Sequence, residues 1–540
     1  MADVNNPLDD GLPTGGPASA VSSWAELEGL ADGPLPSLRN LFEGDATRGA
    51  RLSTECADLW IDLSRQHLTN EVLGHLHDLA RQRQVSDTLT RVLHGDIVNG
   101  SEDRAAIHGA LRIRDQKPSR PDVEAAFATF DQMVELATAI RAGTAMGATG
   151  HRITALVQLG IGGSHLGPAL AVDALRHLAH PDLAIRFSPG VDADDLDEAL
   201  LGLDPTSTLV VACSKSFTTI ETLTALDGAL AWLATGVGDR AIDHVLAITA
   251  APDRARDHGI REDQTFEIPI AVGGRFSVGS AVGLPVMVAI GPEAFDEFLA
   301  GMHAVDSLSA TLPVEQNPAV LLALVDVWNH CHLGRGSVAV VPYTHRLRLF
   351  IPWLQQLSME SLGKRVCHDG TDPETATGAV IWGATGTDAQ HAFFQFLHQG
   401  TDVVPVELIG VARPATDDPR ARATSNLLIT NLAGQADALA FGRTADELRA
   451  DGVAEVLVAH RTIPGDRPST GILLGELTPS TLGQLMALHE NRTVATAALL
   501  GINPFDQWGV ELGKQMAGDL ADGSAPKSEL LRRAQSLREN

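Results

Sequence analysis

From residue 154 the chain repeats one pattern four times: a short, nearly unbroken apolar run, a turn rich in Gly, Ser or Pro, then a helical stretch. The segments are "TALVQLGIGGSHLGPALAVDAL", "LAIRFSPGVDADDLDEAL", "STLVVACSKSFTTIETLTALDGAL" and "DHVLAITAAPDRARDHGI". A strand with water on one face alternates polar and apolar residues. A strand that is apolar throughout is covered on both faces, as parallel strands joined through helices are. A second set follows in "GSVAVVPYTHRLRLFIPWLQQL", "GAVIWGATGTDAQHAFFQFLHQG" and "DVVPVELIGVA". The pattern predicts two α/β units with parallel-rich sheets.

Around these units the texture changes. Residues 1–35 are rich in Pro, Gly, Asp and Ser and read as a disordered tail. Residues 36–119 read as mainly helical, including "LSTECADLWIDLSRQHLTNEVLGHLHDLARQ", with Thr69 as a cap for the stretch beginning at Glu71. The α/β units are expected over 120–290 and 291–510, and a C-terminal helix and tail over 511–540.

Charge narrows the function classes. The 540 residues carry 68 acidic and 40 basic side chains, a formal net charge of −28. A nucleic-acid partner needs a basic footprint, so none is expected. No apolar run is long enough to span a bilayer, and the acidic, polar N-terminus has no secretory pattern. The four cysteines form no CxxC pair, which fits a reducing cytoplasm and no thiolate zinc site. Only five of the basic residues are lysines, so each invites inspection.

Ligands of open α/β sheets sit beyond the carboxyl ends of the strands. Two loops fall there. "GIGGSHLGP", Gly160 to Pro168, lacks both the dinucleotide and the P-loop spacing, and a structural turn explains it equally well. "SKSFTTIET" follows the strand at Leu209–Cys213 and precedes a helix starting near Thr219, with Glu221 in its first turn. One ammonium, several hydroxyls and helix N–H groups suit a phosphate dianion, and helix capping is the plainer alternative. "GGRFS" sets Arg275 after two glycines, as either an electrostatic catalyst or a structural ion pair. "QQLSMESLGKR" places Glu360 beside Met359, where a carboxylate among apolar groups can serve as a base, although most glutamates are simply exposed. His391 opens a helix, and "NHCHLGRG" fits no zinc spacing well. In "NPFDQWGVELGKQ" Glu511 and Lys514 also read as a surface i,i+3 ion pair.

Taken in order, "GIGGSHLGP", "SKSFTTIET", "GGRFSVGSAVGL", "QLSMESLGK", "GTDAQHAFFQFLHQG" and "NPFDQWGVELGK" resemble the glucose-6-phosphate isomerase (phosphoglucose isomerase) family, over about residues 36–518. The resemblance implies an α/β fold with two sugar-isomerase-type αβα sandwich subdomains, a helical N-terminal segment and a C-terminal helical arm. The 120–290 subdomain would hold the phosphate site. It implies reversible isomerisation of glucose 6-phosphate and fructose 6-phosphate without a metal or other cofactor, in glycolysis and gluconeogenesis. It also implies a cytoplasmic homodimer with a shared active site and a sugar phosphate as the small-molecule partner. Residue by residue, Ser214, Lys215, Ser216 and Thr219 match the phosphate loop, with Gly163 and Ser164 beside it. Glu360 matches the base that moves the proton between C1 and C2. Arg275 and the Gly274 backbone match the group that stabilises the enediolate. His391 and Lys514 match residues assigned to ring opening, with Glu221 orienting the partner's histidine. Gln356 and Gln507 match substrate-positioning amides.

The sequence departs from the family pattern at His165, Gly279, Leu362, Ala384 and Thr385, and Ser216 replaces a threonine. None of these removes a named catalytic group. A dual phosphoglucose/phosphomannose isomerase and a non-catalytic sugar-phosphate-binding regulator are the alternative readings. The regulator predicts loss of the base or the arginine, and both are present.

Overall fold

A computed structural model describes residues 15–114, 118, 120–524, 526 and 528–538. Residues up to Pro504 form one compact unit, and Phe505–Asn540 form a second. In chain order the first unit contains a hairpin of β1 (Ser53–Cys56) and β2 (Leu59–Asp62), then a small hairpin of β3 (Ile97–Asn99) and β4 (Arg104–Ala105). Five strands follow: β5 (Ala155–Leu159), β6 (Ala184–Ser188), β7 (Thr208–Cys213), β8 (Val245–Thr249) and β9 (Thr265–Glu267). The last four are β10 (Ser337–Pro342), β11 (Val380–Gly383), β12 (Val406–Val411) and β13 (Ser469–Leu474).

The five-stranded sheet has the order β6-β5-β7-β8-β9 and is parallel throughout. β5, β7 and β8 are buried along their whole length, as their unbroken apolar runs require. After β5 the chain steps to one side to form β6, then returns to the other side as β7. The carboxyl ends of β5 and β7 therefore flank a topological switch point, where open α/β sheets place their ligands. The six-stranded sheet runs β1-β2-β13-β12-β10-β11, with β10 to β13 parallel and the β1–β2 hairpin antiparallel at one edge. Against it packs a core that includes Tyr343, Phe394, Leu408 and Leu439. The helix Pro479–Leu500 is buried on nearly every face and serves as an internal strut.

Two expectations are corrected here. The stretch read as helical at 53–62 is the β1–β2 hairpin. Its two-residue turn holds Ala57 at φ 52°, a conformation usually given to glycine or asparagine, so the sequence carries no turn signal. Burial of Leu59 and Ile61 with Trp60 facing out gives the strand its period. The helical reading holds further on: Asn70–Gln82 is a helix whose Thr69 hydroxyl accepts from the Val72 amide, 3.1 Å. The expected tail is ordered from residue 15 at least as far as the helix Ser22–Ala31, and residues 1–14 lie outside the described residues. Trp24 and Leu27 are buried from this helix, each contributing about 1.5–3 kcal/mol of apolar burial, which offsets the flanking Pro and Gly. The carbonyl of Gly16 accepts from Arg83, 2.9 Å, and that of Gly15 from the Asp369 amide, 3.1 Å. Among the described residues no helix is long and apolar enough to cross a membrane.

Candidate active site

The loop after β7 is built around one lysine. Lys215 is half-buried, and its ammonium donates to the Val272 carbonyl, 2.9 Å. Burial, then the Arg104 guanidinium, lowers its pKa from 10.5 to about 8. Phe217 anchors the turn: its ring is buried and its backbone is held at φ 50°. Ser214 Oγ accepts from the Phe217 amide, 3.1 Å, and lies 3.0 Å from Thr219 Oγ1. Ser216 Oγ and Thr218 Oγ1 pair at 2.7 Å. Thr219 is the N-cap residue of the helix Ile220–Val237, yet its side chain makes no capping bond. The capping reading of this hydroxyl is thus replaced: it turns to Ser214. The helix N-terminus keeps its partial positive charge without a side-chain cap from Thr219.

The loop after β5 closes on the same place. Gly163 lies so near the backbone of Gly274 that a methyl group on it would collide with that residue's carbonyl. Ser277 Oγ secures the contact by donating to the Gly274 carbonyl, 2.7 Å. Gly162, at φ 60°, packs against the Gln356 amide, and the Ser164 carbonyl accepts from Gln158, 2.6 Å. Gly163, Ser164, Gly274 and Gln356 are therefore neighbours, although they come from three separate motifs.

Glu360 and Gln356 stand one turn apart on the helix Phe350–Leu362. Glu360 Oε2 is 3.4 Å from Nη1 of Arg275, with side-chain exposures of 22% and 1%. The arginine is fixed from two other sides. Its Nε donates to Ser361 Oγ, 2.7 Å, and its Nη2 to the Pro504 carbonyl, 2.5 Å. Arg275 is thus in an ion pair, and its partner is the candidate base. Ser361 was not singled out from sequence, although it adjoins Glu360 in the motif. The Pro504 and Val272 carbonyls are backbone groups and leave no trace in residue type.

A family model described as phosphoglucose isomerase matches residues 62–534. The chain belongs to the phosphoglucose isomerase family. It is 45% identical over 493 residues to a glucose-6-phosphate isomerase 1 of Rhodococcus jostii (strain RHA1), covering 89% of this chain and 90% of that protein. It is 45% identical over 504 residues to a glucose-6-phosphate isomerase 1 of Streptomyces avermitilis, covering 92% of each. Among solved structures, a glucose-6-phosphate isomerase from Chlamydia trachomatis superposes with a TM-score of 0.85 at 30% identity, covering 97% of this chain and 99% of that one.

Four further residues of the phosphoglucose isomerase pattern lie on other elements. His391 is exposed on the helix Gly386–Ala392, and Glu221 is half-buried in the first turn of its helix. Gln507 and Lys514 belong to the second unit, where the exposed Lys514 pairs with Glu511 at 3.2 Å. Several departures have packing explanations. A Cβ at Gly279 would sit 3.3 Å from Leu299 Cδ2, so a side chain there would press on that leucine. Leu362 is buried, and His165 packs on Phe187 with burial lowering its pKa. Thr385 is the N-cap residue of the helix that carries His391, and Ala384 packs on the core of the six-stranded sheet. His332, from the cluster with no zinc spacing, lies against the rings of Trp24 and Trp328.

Proposed function

We propose that this chain interconverts D-glucose 6-phosphate and D-fructose 6-phosphate, with Glu360 as the base and Arg275 as its electrostatic partner. The observation that carries this reading is the Glu360–Arg275 pair at 3.4 Å, set beside the phosphate-type loop at the switch point. A hydrogen α to a carbonyl is too weakly acidic for an unaided carboxylate. A cation beside the developing enediolate oxygen lowers that barrier. Glu360 takes the proton from C2 of the aldose and returns it to C1, and Arg275 with the Gly274 backbone meets the negative oxygen. Ser214, Lys215, Ser216 and Thr219, with Gly163 and Ser164 beside them, hold the phosphate, which keeps C1 and C2 over the base. The family pattern gives positioning of the sugar to Gln356 and Gln507. The family pattern gives ring opening to His391 and Lys514. The exposure of His391 supports a homodimer in which the partner's histidine enters the site and Glu221 orients it. With a net charge of −28 the global field opposes an anionic substrate, so the local cations must supply the attraction. A coupled assay that detects glucose 6-phosphate formed from fructose 6-phosphate, without added metal, tests the activity; no product would overturn it.

Lys215 gives the activity a pH signature. Its ammonium is charged below about 8 and neutral above. The substrate phosphate is already a dianion there, so kcat/KM falls as pH rises through about 8. Lys215→Arg, which stays charged, removes that limb whatever its absolute activity. Lys215→Ala raises KM more than it lowers kcat, because an anchor contributes to ground-state binding as well. A pH–rate profile in which the limb survives in Lys215→Arg counts against this role.

Sharing of the site is checked with mixed dimers. In a heterodimer of a His391→Ala chain and a Glu360→Gln chain, one of the two symmetric sites retains both groups, so activity recovers to about half of wild type. Purified heterodimers as inactive as their parents would rule out a shared site.

A further inference from the structure

We infer that Asn99 and Asn503 are positioning residues for Arg275, acting through the Pro504 carbonyl. The inference rests on the reading of Arg275 as the electrostatic group of the isomerase. The guanidinium is buried, so its direction is set by the groups that accept its protons. Two of these, Ser361 Oγ and the Glu360 carboxylate, come from the catalytic helix itself. Another, the Pro504 carbonyl, comes from the loop after the helix Pro479–Leu500 and meets Nη2 at 2.5 Å. A displacement of that carbonyl turns the whole planar fork, because Nη1 and Nη2 move together.

The side chain before the proline secures this loop. Asn503 is 7% exposed, and its Nδ2 donates to Asn99 Oδ1, 2.8 Å, and to Ser101 Oγ, 3.0 Å. The proline ring fixes its own φ and restricts Asn503 to extended backbone, so tethering Asn503 narrows the positions open to the Pro504 carbonyl. Asn99, at the end of β3, is 5% exposed. Its Nδ2 donates to Glu102 Oε2, 2.7 Å, and Glu102 Oε1 accepts from Arg104, 2.9 Å. The amide of Asn99 is therefore oriented from both ends, with its oxygen turned to Asn503. The same segment grips the arginine's own stretch of chain. The Ile107 amide donates to the Ala271 carbonyl, 3.4 Å, and the ring of His108 stacks on Phe276 with centroids 4.6 Å apart. The stretch from Asn99 to His108 thus touches both the chain around Arg275 and the loop that receives its Nη2.

The test is a set of kinetic variants of the full-length chain. Asn503→Ala lowers kcat about tenfold and leaves KM within about twofold, since a misaimed cation costs the transition state more than the bound sugar. In an Arg275→Lys background, where no fork remains to be aimed, Asn503→Ala lowers kcat by less than about twofold. A purely structural asparagine would give the same loss in both backgrounds, and that result overturns the inference. So does an unchanged kcat in Asn503→Ala alone. If Asn503→Ala does not fold, Asn99→Ala removes the same bond from the other side and is judged by the same criteria. Arg275→Lys measured alone separates the two readings: a wild-type kcat there overturns the role of Arg275 itself, whatever the asparagines do.

Discussion

Glu360→Gln stops exchange of the substrate's C2 hydrogen with solvent deuterium, and kcat falls by roughly 10²–10⁴-fold, the range usual for a positioned general base. Glutamine keeps the shape of the carboxylate and one acceptor oxygen toward Arg275, 3.4 Å away in the native pair. It cannot take a proton from carbon. The proposed phosphate loop lies on a different element, after β7, and is untouched, so KM and inhibition by inorganic phosphate stay near wild type. Solvent-exchange NMR separates this outcome from a general loss of structure. A variant that binds substrate normally but exchanges near the wild-type rate would show that another group is the base. A variant that loses binding and exchange together would mean that the 360 side chain supports the site rather than acts in it.

How much of this was legible in sequence depends on whether the deciding contact was local. Thr69 caps its helix through an amide three residues on, and the reading was right to within a residue. The strand ending at Cys213, the loop and the helix starting at Ile220 were also readable, because the apolar run, the hydroxyls and the helical period lie next to one another. The β1–β2 hairpin was not, since Ala57 occupies a left-handed turn position that its residue type does not advertise. The helix Ser22–Ala31 was hidden for another reason. Its stability comes from burying Trp24 and Leu27 against distant elements, while its local composition resembles a tail. The capping role of Thr219 failed on geometry: the residue stands at the N-cap, but its hydroxyl is taken by Ser214. The surroundings of Arg275 lay furthest out of reach. Its donors meet Ser361 and Pro504, 86 and 229 residues away in sequence, and the Pro504 acceptor is a backbone carbonyl. Motif resemblance named the arginine; only the fold shows what it touches.

Arg275→Lys is expected to lower kcat by about 10²–10³-fold, with a smaller change in KM. The substitution keeps the positive charge, so a large loss would show that the direction of the charge matters more than its presence. Arginine offers a planar fork that meets Ser361 Oγ, the Pro504 carbonyl and Glu360 from three sides at once. An ammonium is a point charge at the end of a shorter stem and cannot satisfy all three. It leaves at least one of those acceptors without its arginine donor. If Glu360 and Arg275 act on one proton transfer, as proposed, their losses are not additive: Arg275→Lys combined with Glu360→Gln is little slower than Glu360→Gln alone. Independent roles would instead multiply the two losses, and steady-state kinetics of the double variant distinguish the cases. Multiplicative losses would mean that the 3.4 Å pair is a structural ion pair beside a base that works without it.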